Sequence, residues 1–165
     1  FSFEAWHALV NSDFALARYA DTVNDSDKAL ALHPDDPTTL EYRCVSLAYL
    51  KRIAEAKAAL NIISQPGIPK PLATHCEFFI TLNSEGDKAA IAFVNGVLAH
   101  NPRDAGPSGD VGFMLSHTSA TGEAMDYYEK ALRSDRFIFG FYPGRSAPQS
   151  FLNSPRWVAF TQRQK

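Results

Sequence analysis

The chain has 165 residues, of which 45% are hydrophobic and 21% charged, and its formal net charge is −2 at pH 7. This length and balance are typical of one soluble globular domain or one compact repeat array, and the charge gives no basic surface for nucleic acid. No apolar run approaches the roughly 18 residues that a membrane helix needs, and the N-terminus lacks the basic and apolar regions of a signal peptide.

Amphipathic stretches and helix-boundary residues predict eight helices along the chain. We expect them near residues 3–14, 18–32, 38–50, 53–64, 72–83, 87–100, 107–118 and 121–134. Asp36-Pro37 predicts a helix start with an N-cap and a first-turn proline, and Thr38 and Glu41 have capping-box spacing. The proline-rich stretch 66–71 predicts a turn or linker.

Small and apolar side chains recur every 34 residues. Stepping back from Ala124 gives Ala90 and Ala56, and stepping back from Ala131 gives Val97, Ile63 and Ala29. Two further series at the same 34-residue spacing are apolar except for one serine each, Ser26 in one and Ser64 in the other. This period predicts stacked helix hairpins, with the small residues placed where neighbouring helices approach closely.

The pattern resembles the tetratricopeptide repeat, a 34-residue unit of two antiparallel helices. The chain matches the family's pattern at Trp6, Leu40, Cys44, Gly112, the alanine series, Pro34 and Pro102. It departs from the pattern at Val10, Thr22, Thr74, Phe78 and Ser108. The resemblance implies an all-α fold, a right-handed α-solenoid of about four helix pairs. The repeats fall at about 3–36, 37–70, 71–104 and 105–136, within a domain of residues 1–136.

The tail, residues 137–165, is expected to pack on the same domain as an aromatic loop followed by a capping helix. Ser154-Pro155 predicts a short helix that continues to Phe160. The segment 137–144 holds five large apolar or aromatic residues, too many to leave in water. We expect this segment to fold back as part of the cap, and a partner or dimer surface is the alternative.

No sequence motif indicates catalysis, and we expect no cofactor and no bound metal. Cys44 and Cys76 lack the CxxC spacing of zinc and redox sites, and Cys44 is expected to be a small buried hydrophobe. His75 and Cys76 are adjacent, but adjacent helix residues point about 100 degrees apart and do not form a nucleophile–base pair. Two cysteines without a metal pattern favour a reducing, cytoplasmic location.

The resemblance also implies that ligands bind along a groove lined by the first helix of each pair. The groove positions are Glu4, His7, Asn11, Glu41, Val45, Tyr49, His75, Phe79, Asn83, Phe113 and His117. This mixture suits an extended peptide or a helix of the same polypeptide, and an ordinary solvated or partly buried residue is the alternative for each position. Some members of the family bind a terminal carboxylate with Lys and Asn at five defined groove positions. In this chain those positions are occupied by His7, Asn11, Tyr42, Leu72 and Cys76. Only Asn11 fits, which argues against a carboxylate clamp.

We therefore expect a protein-interaction module that regulates or assembles a larger protein, with an effector domain upstream of Phe1. The ending around 155–157 looks like the tails of bacterial multidomain regulators, including winged-helix transcription activators and nucleotide-cyclase-like signalling sensors. The expected partner is a protein or peptide segment or another domain of the same polypeptide, not nucleic acid or membrane. Two alternatives stay open: a homodimerisation scaffold that uses residues 137–152, and an all-α enzyme with its site at His75 and Cys76.

Overall fold

The computed structural model describes residues 1–134 and 147–163, and over these residues the chain forms helices and no strand. The helices are α1 (Phe3–Ala15), α2 (Tyr19–Leu32), α3 (Pro37–Tyr49), α4 (Ile53–Ile63), α5 (Lys70–Ser84), α6 (Asp87–His100), α7 (Ser108–Ser116), α8 (Thr121–Ser134), α9 (Gln149–Leu152) and α10 (Pro155–Gln162), with a 3₁₀ turn at Pro102–Ala105. All eight predicted helices are present, with ends within two residues of the prediction. The all-α class is thus confirmed, and the solenoid arrangement stays a prediction.

Two compact units divide the chain, residues 1–90 and residues 91–165. The first unit contains α1 to α5 and ends in the first turn of α6, and the second contains α7 to α10. Among the helices of the described ranges, none is long and apolar enough to cross a bilayer.

Local signals explain where several helices begin. The Asp36 carboxylate accepts a 2.8 Å hydrogen bond from the Thr39 N–H, and Pro37 follows it at the first helical position, as predicted. Ser154 caps α10 in the same way, accepting from the Trp157 N–H at 3.3 Å. The predicted capping-box role of Glu41 is wrong, because its carboxylate instead contacts a side chain on α5.

The 34-residue period is also a period of the backbone hydrogen bonds that begin α2, α4, α6 and α8. Four N–H groups donate to the carbonyl four residues earlier: Thr22 to Arg18 at 2.9 Å, Ala56 to Arg52 at 3.0 Å, Ala90 to Gly86 at 3.1 Å and Ala124 to Ala120 at 2.9 Å. The turns after α1 and α3 match as well, since Ala17 and Lys51 have φ values of 57° and 61°. The sequence period therefore corresponds to a repeated local structure.

In the first unit, successive helices pack on one another from α1 to α5, and α3 also packs beside both α1 and α5. The alanine predicted to lie at a close helix contact, Ala56, is fully buried. The first helices of three successive pairs thus lie side by side, which brings their corresponding positions close together.

In the second unit, α7 packs tightly on α8 at Gly112. A Cβ added to Gly112 would lie 3.2 Å from the Ala124 carbonyl oxygen and 3.2 Å from the Tyr128 ring. Ala124 itself is fully buried, as is Ala90 in the first unit. The tightly packed glycine that the tetratricopeptide resemblance implies at Gly112 is therefore present, and the three alanines are buried, as close helix packing requires.

The tail helix α10 packs on α8 through aromatic rings. The Trp157 and Phe160 ring centroids lie 5.3 Å and 5.9 Å from that of Tyr128. The Arg156 guanidinium donates to the Asp126 carboxylate at 2.8 Å and lies 3.3 Å from Glu129. The predicted aromatic loop, residues 137–144, lies outside the described residues.

Candidate functional site

The predicted groove positions differ widely in their access to solvent. In the first unit Glu4 is exposed, and the half-buried positions are His7, Asn11, Tyr49 and Asn83. The buried positions are Glu41, Val45, His75 and Phe79 in the first unit, and Phe113 and His117 in the second. A ligand on the surface of the first unit would meet the half-buried set, and the buried positions contribute to packing in this conformation.

Glu41 and His75 form the strongest polar contact among these positions. His75 Nδ1 lies 2.6 Å from Glu41 Oε1, and both side chains are buried. The two residues are 34 apart and occupy the same position in successive helix pairs. His7 occupies that position one pair earlier, and its Nδ1 lies 3.0 Å from the Thr39 hydroxyl. These groups are engaged within the first unit.

Three other polar members of the set contact backbone carbonyl oxygens four residues earlier in the chain. The Asn11 amide donates to the His7 carbonyl at 3.0 Å, and the Asn83 amide donates to the Phe79 carbonyl at 2.9 Å. His117 Nδ1 lies 2.8 Å from the Phe113 carbonyl oxygen, and burial lowers its pKa to about 4 although that backbone contact raises it. These contacts stabilise α1, α5 and α7 locally.

A continuous row of aromatic rings runs through the first unit. The centroid distances are 4.7 Å for Tyr42–Phe14, 6.3 Å for Phe14–Tyr19, 4.3 Å for Tyr19–Tyr49 and 5.3 Å for Tyr49–Phe79. We call these five residues the aromatic row. The rings of Tyr19 and Tyr49 are stacked with an interplanar angle of 5°. The first four members are half-buried residues, and Phe79 is buried.

The hydroxyls of Tyr42 and Tyr49 keep their protons in ordinary conditions. Burial, followed by the Glu41 charge, raises the pKa of Tyr42 to about 12. Burial also raises the pKa of Tyr49 well above its usual value, with further contributions from the charge of Tyr19 and a hydrogen bond to it. The row therefore presents neutral, amphipathic rings at neutral pH.

Tyr49 and Phe79 are among the predicted groove positions, but Tyr42 is not, and neither are Phe14 and Tyr19. Both lie beside the turn that joins α1 to α2, and Tyr19 belongs to a second helix. A mapping restricted to first helices passes over such a residue. Aromatic residues placed on both sides of the turn were the available signal.

Four contacts join α3, or the turn after it, to α5, and we call this contact line the α3–α5 seam. They are Glu41 with His75, Cys44 with Cys76, Tyr49 with Phe79, and Lys51 with Asn83. The Lys51 ammonium donates to the Asn83 backbone carbonyl at 2.8 Å and to its side-chain oxygen at 3.1 Å. The seam thus contains a buried polar pair, a covalent bond, a ring contact and an exposed polar contact.

The two cysteines form a disulfide, with Cα atoms 5.7 Å apart. Cys44 is fully buried, as predicted, and its bond to Cys76 was not predicted from the sequence. Because its sulfur is bonded to that of Cys44, Cys76 has no free thiol in this structure.

A separate cavity of about 370 Å³ lies among α2, α3 and α4. Its apolar wall includes Leu30, Leu40 and Ile62, and an ion pair of Arg43 with Asp27, 2.7 Å long, lies at its border. The Ile62 side chain is 46% exposed, so this cavity is a second accessible apolar surface of the first unit. Across residues 1–134 and 147–163, no three His, Cys, Asp or Glu side chains are grouped to hold a metal ion.

Comparisons of the chain with protein-family models, with curated proteins and with solved structures found no match.

Proposed function

We propose that the chain is a protein-interaction module that binds a segment of a partner protein along the aromatic row. The observation that carries this proposal is the unbroken contact of five rings across α1, α2, α3 and α5. Aromatic side chains supply large contact areas at a low cost in conformational entropy, and they are enriched among the residues that dominate binding energy. Because all five members of the row are aromatic, it favours a partner segment with apolar and aromatic side chains.

The segment belongs to a protein partner or to another domain of the same polypeptide. Grooves lined by apolar and aromatic side chains bind amphipathic helices or extended peptides, which supports this assignment. The likeness of residues 155–157 to the tails of bacterial multidomain regulators supports a regulatory context, and we propose that the module regulates or assembles a larger signalling or transcription protein.

A selection from a random peptide library on the folded chain tests the proposal. Peptides recovered from it are synthesised, and their affinities for the chain are measured by fluorescence anisotropy. We expect Phe14→Ala and Tyr42→Ala each to weaken binding about tenfold or more, because each removes a half-buried ring from the row. Tyr127→Ala is the matched control, since Tyr127 is a half-buried tyrosine in the second unit.

Binding that is equal in all three variants would place the site elsewhere, and Ile62→Ala then tests the cavity among α2, α3 and α4. Thermal unfolding of each variant shows whether a lost affinity reflects a lost fold. Light scattering over a concentration series completes the test. Self-association with no peptide binding would favour the homodimerisation scaffold.

A further inference from the structure

The disulfide lies in the interior of the α3–α5 seam. Cys44 on α3 and Cys76 on α5 are 0% exposed. Along the seam they lie between the Glu41–His75 hydrogen bond and the contact of Tyr49 with Phe79. His75, next to Cys76, and Phe79 are also almost fully buried. The sulfur atoms are therefore shielded by the packing of the two helices that they join.

We propose that Cys44 and Cys76 are a thiol-oxidation site whose state is set before the seam closes and is then retained by the fold. Oxidation joins the two sulfurs, and its oxidant is a disulfide, either of a small thiol such as glutathione or of a thiol oxidase. Two cysteine thiols and one oxidant disulfide yield the Cys44–Cys76 bond and two reduced thiols. One oxidant thiolate leaves when the first cysteine attacks, and the second leaves when the mixed disulfide is resolved.

Retention follows from the geometry of exchange. A thiolate must reach a disulfide sulfur in order to attack it, so exchange depends on access as well as on chemistry. With both sulfurs at 0% exposure, a reductant reaches them only after α3 and α5 separate. The same shielding keeps an oxidant away from the thiols of a chain that has folded in the reduced form. The redox state thus records the conditions under which the chain folded.

Structural disulfides form and persist in oxidising compartments, where thiol oxidases or oxidised glutathione supply the oxidant. The proposal therefore places folding of this chain in such a compartment. It competes directly with the cytoplasmic location predicted from the cysteine count.

The first test refolds the full chain from urea in buffers that contain reduced and oxidised glutathione. Alkylation and mass spectrometry then count the free thiols. We expect none after refolding in the oxidising buffer, and two free thiols at that point would overturn the proposal.

The second test adds dithiothreitol to the folded, oxidised chain, with and without urea. We expect reduction to be roughly 100-fold or more slower in the absence of urea, because it requires a rare opening of the seam. Equal rates in the two conditions would show that the sulfurs are accessible in the native state, and would overturn the retention of the redox state.

A variant that weakens the seam distinguishes shielding by the seam from slow chemistry. Glu41→Gln replaces the charged partner of His75 and should accelerate native-state reduction about tenfold, since the open state becomes more populated. Glu129→Gln, a glutamate variant in the second unit, should leave the rate unchanged. If Glu41→Gln does not fold, Lys51→Met removes the exposed contact with Asn83 and should act in the same direction. An unchanged rate in the folded seam variant would contradict control by the seam.

Discussion

Glu41 and His75 are 34 residues apart in sequence and 2.6 Å apart in space, as one buried carboxylate–imidazole contact. Because the contact joins equivalent positions of successive helix pairs, it reports directly on the register of α3 against α5. A buried polar pair of this kind is satisfied in one alignment only, since a slip of one turn would leave both groups in apolar surroundings.

Removing either partner should therefore cost stability that is not additive. We expect Glu41→Ala and His75→Ala each to lower the free energy of unfolding by about 2–4 kcal/mol, and the double variant to show a coupling above about 1 kcal/mol. Urea unfolding followed by circular dichroism measures these values. The exposed pair of Arg156 and Asp126 is the control, with an expected coupling below about 1 kcal/mol. Additive effects at Glu41 and His75 would show that the contact does not form in solution.

Gly112 should not accept a methyl group. Alanine normally stabilises a helix relative to glycine by about 1 kcal/mol, but here its Cβ would lie 3.2 Å from a backbone oxygen that cannot move independently of α8. We expect Gly112→Ala to destabilise the protein by about 1–3 kcal/mol. Gly96→Ala is the matched control in α6, where no described atom lies within 4 Å, and it should stabilise by about 0.5–1 kcal/mol. The melting temperatures of the two variants should shift in opposite directions.

Because of His117, the free energy of unfolding should decrease as the pH falls. Burial lowers its folded pKa to about 4 from an ordinary value of 6.5, so the unfolded chain binds the proton first as pH falls. Its effect is absent above pH 6.5, and stability is lost progressively between pH 6.5 and 4, by up to about 3 kcal/mol. Urea unfolding across this range should show a steeper loss for the native chain than for His117→Gln. Parallel profiles would indicate that His117 titrates normally.

Trp157 should anchor α10 far more strongly than its neighbour. Its side chain is 5% exposed and contacts Tyr128, Phe151 and Phe160, whereas Val158 is 41% exposed. We expect Trp157→Ala to lower the free energy of unfolding by about 3–5 kcal/mol and Val158→Ala by less than about 1 kcal/mol. Chemical denaturation of both variants checks the contrast. Similar losses would mean that α10 is not docked on α8 in solution.

The helices could be predicted from sequence because their signals are local. Prolines, capping residues such as Asp36, and the 34-residue period predict the eight helices, Ser154-Pro155 predicts α10, and the tetratricopeptide resemblance implies the tight packing at Gly112. The period also places Glu41 and His75 at equivalent positions. It does not show that their side chains are buried against each other, because burial depends on how closely α3 and α5 pack.

The cysteine pair was missed for a related physical reason. Cys44 and Cys76 are 32 residues apart, two short of the period, so they are not equivalent positions and a repeat alignment separates them. They meet because side chains from neighbouring positions on two adjacent helices point toward the same contact. Such a meeting depends on the axial offset of the helices, which composition and periodicity do not encode.

Ala17 and Lys51 both have a left-handed backbone conformation, but replacing each of them by glycine should have different effects. A side chain in this conformation costs roughly 1 kcal/mol relative to glycine. At position 17 a glycine would relieve that cost without removing any seam contact, and we expect Ala17→Gly to raise the melting temperature by a few degrees. At position 51 the same change would also remove the ammonium group that holds Asn83. The first turn is therefore open to engineering, whereas the second is constrained by the bridge it makes to the next helix pair.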